Sequence, residues 1–232
     1  MNPAAQYLIT HSFWRHNYDV STTNKTHLFH VVNSSLTPGK PDLTFYRGPD
    51  PNGPIAGVCK FRHFSSDCEI GLGDPERPNK MDWEYLHKQG FMKRVYWFRM
   101  QVEDGTKQTF TWKRTHSLGS GHADYKLVEE TSQTVVAVFS SGGIFSKTTG
   151  SLDIYFHLGS QFYLMALMSA ISVIERARRA RQSSQAGGGG GGGRGEDHVK
   201  PSLEVSLMAF CISHNYEARK ILARLRVYLV LL

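Results

Sequence analysis

Short runs of aromatic and β-branched residues at 28–32, 43–47 and 55–64 are separated by Pro, Gly, Asn and Asp, and read as strands between turns. Residues 68–72 follow a turn at 65–67. Residues 81–86 follow a segment rich in turn formers at 73–80. The clearest hairpin comes next. Val95, Trp97 and Arg99 alternate with Tyr96, Phe98 and Met100, and Glu103, Asp104 and Gly105 supply the turn. The return strand at 107–114 puts Phe110 and Trp112 on one face and Thr109, Thr111 and Lys113 on the other. Both Trp97 and Trp112 are expected in the core, where an aromatic side chain buries ~150–250 Å². A second hairpin joins 125–129 to 134–140. Leu152, Ile154 and Phe156 then alternate with Asp153, Tyr155 and His157. Roughly ten strands spaced by turns argue for an antiparallel sandwich or barrel. Strands do not alternate with long helices, which argues against a doubly wound α/β fold.

The period changes over residues 161–182, which contain no Gly or Pro. Leu164, Met165, Ala166, Leu167, Met168 and Ala170 are good helix formers, with Ser160 placed to cap the start. Arg176, Arg178, Arg179 and Arg181 crowd the other end, where cations offset the helix dipole. Residues 162–174 are apolar on almost every face, broken by Ser169 and Ser172. A helix apolar all round must be enclosed. A bilayer span needs ~20 residues, so this run is too short, and the strands are the enclosure at hand. The helix is therefore expected to fill the lumen of a closed sheet, with Phe162, Leu164, Met165, Leu167, Met168, Ile171 and Ile174 as its core residues. Glu175 and Arg176 mark its expected exit into water, beneath a solvated arginine cap.

Several of these segments carry a resemblance. Phe110-Thr111-Trp112-Lys113-Arg114, Tyr125-Lys126-Leu127-Val128, Val135-Val136-Ala137-Val138-Phe139, Gly150-Ser151-Leu152-Asp153-Ile154 and the helix at 162–179 resemble the small fungal proteins with a tubby C-terminal-like domain. These are relatives in shape of the tubby proteins, the LURP-one-related proteins and the phospholipid scramblases. The resemblance implies a mainly β fold, a closed antiparallel β-barrel of about twelve strands around a central hydrophobic C-terminal helix. Related tubby domains bind phosphoinositide headgroups through basic residues on the barrel surface. Four divisions of the chain follow: an N-terminal extension at 1–19, the tubby C-terminal-like domain at 20–182, a flexible linker at 183–202 around seven consecutive glycines, and a C-terminal extension at 203–232 that is helical or disordered. Ile221, Leu222, Leu225 and Leu229 at spacings of three and four support the helical alternative.

At 232 residues, 40% of them hydrophobic and 12% aromatic, the chain has material for one sizeable core, which excludes disorder throughout. Cys59, Cys68 and Cys211 cannot all pair within the chain, so a reducing compartment is expected. The N-terminal residues do not read as a secretory signal, and the sequons at Asn24 and Asn33 are accordingly expected to be silent. The expected location is cytoplasmic, peripheral at membranes.

The net charge of +7 directs attention to basic residues. Arg62, Lys93, Arg94, Arg99, Lys107, Lys113 and Arg114 are the candidate lipid-binding set. Alternation places Lys107 and Lys113 on one face and Arg114 on the other unless the strand has ended. No nucleic-acid signature accompanies them. His27 with His30, His116 with His122, and Cys59 with Cys68 lack the tight spacing of zinc ligands, so no metal is expected. With no nucleophile elbow and no phosphate loop, no catalytic residue or cofactor is assigned. The leading expectation is a non-enzymatic intracellular module that binds anionic phospholipid headgroups at membrane surfaces. Its alternatives are a protein-protein interaction domain without lipid preference and an enzyme of unrecognised class.

Overall fold

The computed structural model describes residues 2–12, 16–34, 37, 39–62, 65–90, 95–115, 124–142 and 148–186. Twelve strands follow one another: β1 (Ala5–His11), β2 (Tyr18–Ser21), β3 (His27–Asn33), β4 (Leu43–Arg47), β5 (Ile55–Phe61), β6 (Cys68–Leu72), β7 (Asp82–Lys88), β8 (Tyr96–Gln101), β9 (Lys107–Thr115), β10 (Asp124–Glu129), β11 (Val135–Ser141) and β12 (Thr148–Ile154). One helix, α1 (Ser160–Ala186), ends the described chain. Each strand pairs with its neighbours in sequence, and β12 returns to pair with β1, closing an antiparallel barrel. Closure leaves no free sheet edge.

The closing strand corrects the expected boundary at residue 20. Ala5 through Leu8 pair with Ile154 through Ser151, and β1 also pairs with β2, so much of the segment set aside as an extension is barrel wall. Its sequence, AQYLITH, alternates weakly, and its partner lies far along the chain. Local periodicity has no access to that pairing. The expected linker at 183–202 falls outside the described residues after Ala186, as does the extension at 203–232.

Inside the barrel, pairing fixes which side of each strand is packed. Tyr96 lies opposite Trp112 and Phe98 opposite Phe110, so these four face inward. The same register sets Trp97 opposite Thr111 on the outer face, where it stacks on His87 at 4.4 Å between ring centroids. Trp112 is in the core as expected; Trp97 is not.

The helix fills the lumen. Phe162, Met165, Leu167, Met168 and Ile171 are buried to within 1% of full, while Leu164 and Ile174 are partly buried against the same core. Phe162 packs on Phe110 at 4.9 Å. The two serines that interrupt the apolar run are satisfied in place. Ser169 Oγ accepts from Trp112 Nε1 at 2.9 Å and donates to the Ala166 carbonyl, and Ser172 Oγ donates to the Met168 carbonyl at 2.7 Å. Both serine hydroxyls thus have partners, which is what burial of a polar group in an apolar lumen requires.

Glu175 corrects the expected exit point. Its side chain is wholly buried, and four residues hold it. Tyr18 Oη donates at 2.6 Å, Asn33 Nδ2 at 2.8 Å, and Arg178 and Arg179 each at 2.7 Å. Arg179 also reaches Asp42 at 2.6 Å, and Arg176 donates to the carbonyls of Ser66 and Asp67 while lying over Phe61. Arg176, Arg178 and Arg179 are therefore not a solvated cap. They seal the lower mouth of the barrel with charge-assisted hydrogen bonds.

Candidate functional site

On the outside of the barrel, β5 to β10 form one continuous face. Lys60, Glu69 and Tyr85 lie in one row across β5, β6 and β7, with Val58, Gly71 and Trp83 in the next. Trp83 and Tyr85, on β7, are 42% and 43% exposed, the exposed large hydrophobic side chains among the described residues. His87 stacks on Tyr85 at 5.7 Å and on Trp97 at 4.4 Å, continuing the aromatic row onto β8. The row is possible because Gly71 has no side chain. A Cβ there would meet Met81 at 2.3 Å and the Trp83 ring at 3.0 Å.

Cations flank this row on both sides. On β5, Lys60 Nζ lies 5.4 Å from the Trp83 ring centre, and the Arg62 guanidinium 5.4 Å from that of Tyr85. On the opposite flank, Arg99 of β8 and Lys107 of β9 point outward and are exposed. Farther along β9, Lys113 lies directly opposite Lys126 of β10.

The predicted basic residues are thus divided. Arg99, Lys107 and Lys113 share the outer face. Arg62 reaches the same face from β5, but its Nε donates to Glu69 at 2.9 Å. Lys113 meets Glu130 at 3.2 Å, and the Thr111 side chain and Lys113 together hold the Glu130 carboxyl below the usual range. Because β9 runs on to Thr115, Arg114 takes the inward register, opposite the buried Tyr125, and is not part of the outer face. Lys93 and Arg94 lie outside the described residues. Sequence reasoning missed Lys60, Trp83, Tyr85 and Lys126. The alternation of Trp83 and Tyr85 with Glu84 and Leu86 was a legible signal; the lateral position of Lys60 and Lys126 required the strand order.

Two groups named in the sequence resolve differently. Cys59 and Cys68 are fully buried inside the barrel, their sulfurs 2.6 Å apart, and Cys59 Sγ is 3.1 Å from Ser172 Oγ. Burial pushes the Cys59 thiol well above its ordinary range, with the Cys68 hydrogen bond adding to the effect. Among the described residues no group of three or more His, Cys, Asp or Glu could hold a metal ion. No described helix is long and apolar enough to cross a membrane.

A closed twelve-stranded antiparallel barrel wound around one hydrophobic helix decides the fold class. The architecture is tubby-like. Comparison with protein-family models, with curated proteins and with solved structures found no match to this chain. The tubby-like assignment therefore describes the barrel and its helix alone, and function must be argued from the surface.

Proposed function

We propose that this tubby-like barrel is a non-enzymatic binding module for anionic phospholipid headgroups, acting in the cytoplasm at membrane surfaces. One observation carries the reading. An exposed aromatic row, Trp83 and Tyr85 continued by His87 and Trp97, lies between two cationic flanks on a single sheet face. Trp and Tyr settle at the headgroup level of a bilayer because one end of each ring is apolar and the other polar. Each Lys or Arg held near an anionic surface adds ~1 kcal/mol. Arg99, Lys107 and Lys126 carry charge on this face and make no salt bridge among the described residues, and Lys60 rests on Trp83. Membership of the fungal tubby C-terminal-like branch is part of the same proposal, and rests on the strand and helix segments that carry the resemblance.

A second reading has support from the same residues. Trp, Tyr and Arg dominate protein-protein hot spots, so the row also suits a protein partner. Vesicle co-sedimentation separates the two. The full chain is expected to pellet with vesicles containing phosphatidylserine or phosphoinositide more than with phosphatidylcholine alone, and to release as salt is raised. Replacing Arg99 and Lys107 by Glu should weaken pelleting by about tenfold or more. Trp83→Ser with Tyr85→Ser should weaken it on every vesicle. Equal pelleting on neutral and anionic vesicles would reject the lipid reading and leave the protein partner.

A further inference from the structure

The helix does not fill its barrel evenly. Phe162 and Ser169 press onto Phe110 and Trp112 of β9, whereas Leu164 and Leu167 lie on the opposite side of α1. There, at the mouth where the helix begins, a cavity of about 290 Å³ separates the helix from β1, β3 and β4. Tyr7, Phe29, Tyr163, Leu164 and Leu167 give it a mainly apolar lining. Arg47 lies at the end of β4, in register with the inward Phe45 and Leu43, and is exposed at the cavity. Its guanidinium is 5.8 Å from the Phe29 ring centre and makes no ion pair among the described residues. The Tyr7 hydroxyl also has no hydrogen-bond partner among the described residues, and burial pushes its pKa up.

We propose that this mouth is a binding site for a single-chain fatty carboxylate of medium length. The apolar lining asks for hydrocarbon. The lone guanidinium at the opening asks for one anionic group, and its planar fork matches a carboxylate. Size limits the chain: at the ~30 Å³ taken by a water-sized group, the cavity holds about ten non-hydrogen atoms, which matches the hydrocarbon tail of a ten-carbon acid whose carboxylate stays at the opening beside Arg47. The site is internal to the barrel mouth and is independent of the outer aromatic row.

Calorimetric titration of the full chain with decanoate and with decanol tests the assignment. Decanoate is expected to bind tighter than decanol. Arg47→Gln should weaken decanoate by about tenfold or more while leaving decanol nearly unchanged, since only the carboxylate gains a charge-assisted hydrogen bond from the guanidinium. Leu164→Trp should abolish both by filling the space. If that variant loses its cooperative melt, Leu28→Trp at the cavity wall is used instead. No decanoate heat at about 1 mM ligand, or equal decanoate affinity in Arg47→Gln, or binding unaffected by the filling tryptophan, overturns the proposal. Arg47→Gln should leave vesicle pelleting unchanged, so failure here is distinguishable from failure of the membrane reading.

Discussion

The Tyr18 hydroxyl donates a 2.6 Å hydrogen bond to Glu175, tying the second strand of the barrel to its helix across 157 positions of sequence. The contact is buried at both ends. It places a carboxylate where water cannot reach, and the surrounding donors make that arrangement stable.

The Glu175 carboxyl titrates at about 2. Burial acts to raise it, but the hydrogen bonds from Arg178, Tyr18, Arg179 and Asn33 outweigh burial. A carboxyl lowered in the fold contributes stability that is present above its unfolded pKa, near 4.5, and is lost as pH falls through the folded value. The shift corresponds to roughly 3 kcal/mol. Stability measured by urea melts should therefore fall between about pH 4.5 and 2. Glu175→Gln should lower stability at pH 7 by a similar amount and flatten that acid limb. An unchanged acid limb in the variant would show that Glu175 is not the titrating group.

The Trp112 indole donates to Ser169 Oγ at 2.9 Å in the middle of the core. Ser169→Ala leaves that donor without a partner, at a cost of about 1–3 kcal/mol. A charge in the same lumen is far worse. Ala170→Asp, set among Trp112, Tyr125, Phe139 and Val173, should abolish the cooperative melt. A folded, cooperative Ala170→Asp protein would place the helix outside the barrel.

Gly57 sits on β5 where the strand passes the helix. A Cβ there would lie 2.7 Å from the Gly71 carbonyl oxygen and 2.7 Å from Met168 Sδ. The methionine can turn aside, but the paired backbone of β6 cannot. Gly57→Ala is expected to cost about 1–3 kcal/mol in denaturant melts.

Cys59 and Cys68 are shielded inside the barrel, and burial keeps the Cys59 thiol protonated. Both should resist alkylation by iodoacetamide in the native protein and react once it unfolds. Peptide mass spectrometry at increasing urea reports this directly, and modification well before the unfolding midpoint would contradict their placement.

Strand alternation around Phe98, Phe110, Tyr125 and Phe139 and the all-round apolar stretch from Phe162 to Ile174 were legible in the chain, because periods of two and 3.6 are local properties. From them came the β-rich class and the enclosed helix. β1 was not legible, since its evidence is a pairing with β12 nearly the whole described length away. Trp97 was misplaced because alternation defines two faces without saying which is packed; its pairing with Thr111, beside Phe98 on Phe110, decided that. Glu175 read as a charge at the water's edge, and only the convergence of Tyr18, Asn33, Arg178 and Arg179 made it an interior group. Likewise a list of basic residues became a surface only after strand order set Lys60 beside Trp83 and Lys126 beside Lys113. What the residues determined alone was which segments must be strand or helix and which must be hidden. Who stands beside whom was decided by closure of the barrel, because lateral neighbours on a sheet are distant in sequence and meet only when every strand has taken its place.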